Sequence, residues 1–226
     1  VPAALRSIMP IVVTPLLSSL IIGFLMVYVI GKPVASLNTS LTNWLADMGT
    51  GSAIVLGIVL GLMMAFDMGG PVNKVAYTFA AGGLSNVAAG ATSAKEWTVM
   101  AAVMAAGMTP PLGLALATVL RKNMFTESER ENGKAAWLLG ASFITEGAIP
   151  FAAADPIRVI PSIMIGSAVT GGMVMAFENT LRAPHGGIWV LGLIGGVPTY
   201  LLSIIVGTVV SAGLVIALKS SAKADA

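Results

Sequence analysis

Glu146 is the residue in this chain best placed to do chemistry. It has no charged neighbour between Lys134 and Asp155, and its flanks are small, apolar and broken by proline. A charge at mid-membrane costs at least about 3 kcal/mol on insertion scales, so an acid kept in such surroundings is a functional candidate by default. The plainer alternative is a carboxylate that satisfies backbone amides freed at a helix break. Asp67 comes second. Asp67-Met68-Gly69-Gly70-Pro71 and Glu146-Gly147-Ala148-Ile149-Pro150 each place a proline four residues after an acid. Matching breaks in two parts of a transporter often meet at the substrate. Lys74 reads as a salt-bridge partner for Asp67, which would be purely structural.

Three further polar residues stand out. His185 lies in Arg182-Ala183-Pro184-His185-Gly186-Gly187, where Pro and Gly-Gly indicate a loop between spans. A lone histidine there is either a settled structural residue or a ligand contact. Asp155 and Arg158 sit three apart and read as an ion pair at a helix start. The chain has no cysteine and one histidine. That excludes a disulfide framework, a thiolate metal site, a cysteine nucleophile and a His-rich metal site. No P-loop, zinc motif or dinucleotide fingerprint occurs, so no cofactor and no metal are expected.

These residues must be held by a membrane protein. Of the 226 residues, 56% are hydrophobic and only 10% charged, against roughly a quarter charged in a soluble domain. Mean hydropathy is +0.91. A soluble globular enzyme is excluded, and so is disorder, which needs low hydrophobicity and high charge. Twelve Lys and Arg against ten Asp and Glu leave a net charge of +2, too little for a nucleic-acid footprint. The expected fold class is all-α: a polytopic transmembrane helical protein with the lipid bilayer as its solvent. Hydrophobic material begins almost at once after Val1, and an upstream segment is expected.

Charges divide the chain into spans. Residues 7–31 are uncharged and long enough to cross about 30 Å of hydrocarbon, with a kink expected at Pro10 and Pro15. Over 33–47, Val34, Leu37, Leu41, Leu45 and Met48 recur at helical spacing, which predicts an interfacial amphipathic helix anchored by Trp44. Residues 48–66 read as a second span. Residues 75–94 read as a tightly packed span or a re-entrant segment. Residues 97–120 form a clear span, expected to break at Thr109-Pro110-Pro111; the freed backbone groups need partners from protein or cavity water.

Residues 121–134 carry Arg121, Lys122, Arg130 and Lys134, and read as a charge-dense loop on the cytoplasmic side. Thr126 followed by Glu129 also has the pattern of a capping box. Residues 135–145 and 147–154 are apolar but too short to span, and with Glu146 between them they predict a re-entrant hairpin. Residues 159–177 form another span. The last begins near Gly195-Gly196-Val197-Pro198, and its tail with Lys219 and Lys223 is expected in the cytoplasm.

Four stretches together resemble the fructose-specific membrane domain (IIC) of the bacterial phosphoenolpyruvate-dependent sugar phosphotransferase system. They are Phe66-Asp67-Met68-Gly69-Gly70-Pro71-Val72-Asn73-Lys74, Phe143-Ile144-Thr145-Glu146-Gly147-Ala148-Ile149-Pro150-Phe151-Ala152, Ala154-Asp155-Pro156-Ile157-Arg158-Val159-Ile160-Pro161-Ser162 and Leu181-Arg182-Ala183-Pro184-His185-Gly186-Gly187. The resemblance implies a permease of the bacterial inner membrane whose sugar, fructose or a relative, is phosphorylated as it enters. It implies that the glutamate of Thr-Glu-Gly-Ala-Ile-Pro, here Glu146, belongs to the sugar site. It implies a phosphocysteine donor on a separate cytoplasmic domain, IIB. It also implies that several spans, including much of a homodimer contact, lie upstream.

On this reading residues 1–48 hold the last span of a scaffold half plus a linker helix, and 49–226 the sugar-carrying half. Glu146, His185, Asp67 and Asn73 are the expected sugar contacts, with Glu146 also the candidate for taking a proton from the attacking hydroxyl. Asp155 and Arg158 are expected to brace the hairpin. Two other classes compete. An ion-coupled secondary transporter would use Glu146 as its proton site, whereas a membrane-anchoring subunit would leave Glu146, Asp67 and His185 without a reason.

Overall fold

The computed structural model describes residues 9–33, 35–36, 39–40, 43, 53–88 and 95–224. The chain divides into two compact units, Val1–Trp44 and Leu45–Ala226. In the first, α1 (Thr14–Leu25) continues through wider π turns at Met9–Val13 and Met26–Ile30. Pro10 lies in the first π turn and Pro15 in the opening turn of α1, so the chain stays helical through both prolines. No residue of α1 is buried, and Leu16, Leu20 and Phe24 are exposed, as suits a helix that lipid or another apolar surface covers. The amphipathic helix expected over 33–47 lies mostly outside the described residues.

The second unit contains α2 (Ala53–Phe66), α3 (Pro71–Ala88), α4 (Lys95–Leu120), α5 (Glu127–Ala141), α6 (Ile149–Ala154), α7 (Pro156–Ala176) and α8 (Val197–Ala224). A two-residue antiparallel ribbon pairs β1 (Thr180–Leu181) with β2 (Ile194–Gly195). Among the described residues, three helices are long and apolar enough to cross a membrane: Lys95–Leu120, Pro156–Ala176 and Val197–Ser220. The chain is a helical, multi-pass membrane protein. The last helix begins at Val197, within the Gly-Gly-Val-Pro signal read from the sequence.

α4 is the central post, buried at nearly every residue from Met100 to Thr118. Lipid offers no hydrophobic drive between helices, so close backbone approach must hold them. At the α2–α7 crossing a Cβ on Gly57 would strike the Gly171 carbonyl, and one on Gly171 would strike that of Gly57.

Two expectations need correction. α4 does not break at Thr109-Pro110-Pro111 but runs through both prolines. Each proline removes the N–H that would bond the carbonyl four residues back, freeing the oxygens of Ala106 and Gly107. Both find hydroxyls: Ser167 Oγ donates to Ala106 O at 3.0 Å, and Thr145 Oγ1 to Gly107 O at 2.8 Å. A hydroxyl pair, Thr109 with Thr170 at 2.8 Å, also ties α4 to α7. Tertiary partners replace the lost bonds, so the helix continues. Nor are residues 121–134 a loop. After a 3-10 turn at Lys122–Met124, α5 begins at Glu127. The capping box decides this: Glu129 N donates to Thr126 Oγ1 at 3.2 Å, and Thr126 N to Glu129 Oε2 at 2.7 Å. The charges decorate a helix, with Glu127 and Glu129 in the first turn where its dipole favours acids.

Candidate functional site

α5, a turn and α6 form a hairpin that returns to the end it started from. One ammonium marks its base. Lys219, near the end of α8, lies 3.3 Å from Glu129 Oε1 in the first turn of α5 and 3.5 Å from Asp155 Oδ2, just after α6. At the tip, Phe143 takes φ +63 and residues Thr145–Ala148 make a 3-10 turn. Thr145, Gly147 and Ala148 are buried, and Glu146 points out between them with its side chain 45% exposed. The bond from Thr145 to Gly107 O fixes the height of this turn at the midpoint of α4.

The Asp67 motif is built against that tip. α2 ends at Phe66, and a turn with Met68 at φ +47 and Gly69 at φ +109 leads into α3. A Cβ on Gly69 would run into the carboxylate of Glu146, so glycine is needed there both for its backbone angle and for room. The two acid–proline motifs therefore meet. Asp67 itself caps α3: Oδ2 accepts from Val72 N at 2.7 Å and Oδ1 from Asn73 N at 2.9 Å. Asn73 is buried, 3% exposed, and donates from Nδ2 to Met64 O at 2.7 Å, locking the start of α3 to the end of α2. Lys74 does not pair with Asp67 as the sequence suggested. Its Nζ lies 3.4 Å from Glu146 Oε1. Spacing misled here because both Asp67 oxygens face the backbone amides that open α3.

His185 reaches the same place from a third segment. Its ring is exposed and stacks on Phe143 with centroids 4.9 Å apart and a 47° tilt. Tyr77 of α3 lies 6.2 Å from the same Phe143 ring. The loop is clasped to the tip: Gly187, at φ +59, sits where a Cβ would strike the Ala141 carbonyl, and Trp189 Nε1 donates to Ser142 Oγ at 2.9 Å. Arg182 is turned away, its guanidinium 4.4 Å from the centre of the Trp97 ring.

The tip thus presents an acid, a base and a short column of rings. A carboxylate takes several hydroxyl bonds, and the ring faces suit an apolar surface with polar edges. Asp155 and Arg158 form the expected ion pair: Arg158 Nη1 lies 3.2 and 3.1 Å from the two Asp155 oxygens. Sequence reasoning missed three residues, Lys219, Thr145 and Ser167. Lys219 had one available signal, as the first cation after a long uncharged span. Among the described residues no group of three or more metal-ligating side chains occurs.

The family described as "Phosphotransferase system, EIIC" matches residues 1–166. The chain is 56% identical to the PTS system fructose-specific EIIB'BC component of Rhodobacter capsulatus over 207 residues, covering 90% of this chain and 34% of that protein. It is 48% identical to the component of the same name in Vibrio cholerae over 228 residues, covering 100% of this chain and 38% of that one. It is 49% identical to the fructose permease IIC component of Bacillus amyloliquefaciens over 205 residues, covering 91% of this chain and 64% of the relative. The chain spans about a third of the length of the first two. No solved structure matches it.

Proposed function

This chain belongs to the phosphotransferase system EIIC family, and on that premise we propose that it carries the sugar site of an inner-membrane permease. The cargo is fructose or a close relative, as the names of the relatives suggest. The phosphoryl group comes from a phosphocysteine on a IIB domain; the EIIB'BC and EIIABC names of several relatives favour such a partner. The observation that carries the reading is the convergence of the Asp67–Lys74, Phe143–Glu146 and His185–Gly187 segments on one hairpin tip.

A sugar entering the membrane loses water from each hydroxyl, and every unreplaced bond costs free energy. Glu146 accepts hydroxyls, and His185 offers a further polar edge beside the Phe143 ring. Glu146 then takes the proton from the hydroxyl as its oxygen attacks phosphorus. Phosphoryl transfer is mostly positioning and charge stabilisation, so a fixed carboxylate at the right height is the main requirement. The engagement of Asp67 and Asn73 with backbone supports a different part for them: they set the turn against which Glu146 rests, with the second lone pairs of Asp67 free for a sugar hydroxyl.

Residues 49–226 move with the sugar in this scheme. Residues 1–48 belong to the scaffold half, which pairs with a second copy. The test is uptake into vesicles by the full-length permease. Uptake that needs phosphorylated IIB and delivers sugar phosphate supports the reading. Uptake driven by a pH gradient without IIB supports an ion-coupled transporter, and no uptake of either kind supports an anchoring role.

A further inference from the structure

We propose that Lys74 is a second catalytic residue of this site: its ammonium holds the anionic oxygens of the phosphoryl group while that group passes to the sugar. The inference rests on the function proposed above and adds the charge which that reaction lacks. Glu146 is an anion, and so is the incoming phosphoryl group. Bringing them together around one hydroxyl is repulsive unless a cation stands between them, and preorganised charge at the reacting group is the usual means of lowering such a barrier.

Lys74 is built for that place. Its main chain is fixed from three sides: Lys74 N bonds Gly70 O at 3.0 Å, Asp67 caps the helix start, and Asn73 next to it is tied to Met64 O. Its side chain is 55% exposed, and its Nζ lies 3.4 Å from Glu146 Oε1. In the water-filled cavity that a sugar site requires, an exposed pair of this kind is worth about 0–1 kcal/mol to stability, so on this reading the fold has little use for it. Among the described residues Lys74 is the cation paired with Glu146. Arg182, another cation of the sequence motifs, is stacked on Trp97. A lysine binds phosphate as a compact point charge on a flexible stem, so it can leave Glu146 for the phosphoryl oxygens without moving the backbone.

The step balances with Lys74 keeping its proton. The sugar hydroxyl oxygen forms the new bond to phosphorus and the phosphorus–sulfur bond of the donor breaks. Sulfur leaves with the electron pair as the thiolate of IIB. The hydroxyl proton goes to Glu146, and Lys74 remains beside the phosphorylated product.

The experiment compares wild type, Lys74→Gln and Lys74→Arg in the full-length permease with phosphorylated IIB. It measures sugar affinity, affinity for the sugar phosphate, and transfer rate at saturating sugar. Lys74→Gln should keep sugar affinity within about threefold while slowing transfer by about a hundredfold or more, the range seen when one charge-stabilising donor is removed. Sugar-phosphate affinity should fall at least about tenfold, and Lys74→Arg should recover part of both losses. Sugar affinity doubles as the control for folding. If Lys74→Gln weakens sugar and sugar phosphate equally, Lys74 only orients Glu146 and the proposal is wrong. Unchanged transfer in Lys74→Gln also overturns it. A wild type that accepts no phosphoryl group from IIB removes the function reading, and this inference with it.

Discussion

The hairpin carries an acid–lysine pair at each end, and the two are nearly the same length. At the base, Lys219 and Glu129 are 3.3 Å apart with side chains 12% and 10% exposed; at the tip, Lys74 and Glu146 are 3.4 Å apart with side chains 55% and 45% exposed. Distance does not distinguish them, but burial does. Removing one partner of a buried pair leaves an unpaired charge and costs about 3–5 kcal/mol, whereas a pair open to water, as the tip must be to take a sugar, contributes about 0–1. The base is therefore a brace: Lys219 also reaches Asp155, Asp155 holds Arg158, and the ammonium lies 4.9 Å from the centre of the Phe125 ring. The tip is free to exchange its partner for a ligand at little cost to the fold.

The largest expected effect follows from that contrast. Lys219→Met should destabilise the protein in detergent by about 3 kcal/mol or more, read as a fall in unfolding midpoint, with Lys219→Arg recovering most of it. Lys74→Met should leave the midpoint almost unchanged. Equal losses at the two lysines would erase the distinction between brace and site.

At the tip itself Thr145 belongs to both fold and site. Thr145→Val keeps the shape and orphans the Gly107 carbonyl, a loss of about 1–3 kcal/mol for a buried acceptor left without its bond. Because the same hydroxyl holds the turn that aims Glu146, sugar affinity should fall with stability, and Thr145→Ser should restore both. A valine variant that loses stability but binds sugar normally would show that the tip keeps its aim without α4. Glu146→Gln should do the reverse of Lys219→Met. The unfolding midpoint stays within error, while sugar binding and phosphorylation drop at least about tenfold, or 1.4 kcal/mol. Wild-type binding in this variant sinks the assignment of Glu146.

What was legible in the sequence was local. The capping box at Thr126 and Glu129 needs only four residues, and the start of α8 only the Gly-Gly-Val-Pro run. The Asp155–Arg158 pair is a neighbour on one helix start. The helical membrane class follows from composition alone. What was hidden depends on partners far along the chain. The continuity of α4 rests on hydroxyls 38 and 61 positions away, and no propensity at Pro110 or Pro111 announces them. Lys74 stands seven residues from Asp67 in the sequence and pairs with an acid 72 positions on. The echo between the two acid–proline motifs did point to their meeting, because a broken helix end must find polar company and the other break supplies it.

The smallest expected effect concerns which way the hairpin faces. Arg121, Lys122, Arg130 and Lys219 gather at its base, on the turn after α4, near the start of α5 and at the end of α8, with Lys134 midway along α5. By the positive-inside rule the base is expected in the cytoplasm, where on the function proposed above IIB would dock, with the tip partway into the bilayer. Ser128 tests this with little disturbance. It is exposed in the first turn of α5, between the two capping-box residues but bonded to neither in the box. The chain has no cysteine of its own, so Ser128→Cys adds a single thiol to this segment. Sugar uptake should be unchanged, and an impermeant thiol reagent should label the position in inside-out vesicles but not in intact cells. Labelling from the outside would turn the hairpin over. The brace would then face the periplasm, and a phosphoryl donor in the cytoplasm would have to reach Glu146 past the far ends of α4 and α7 rather than along the hairpin.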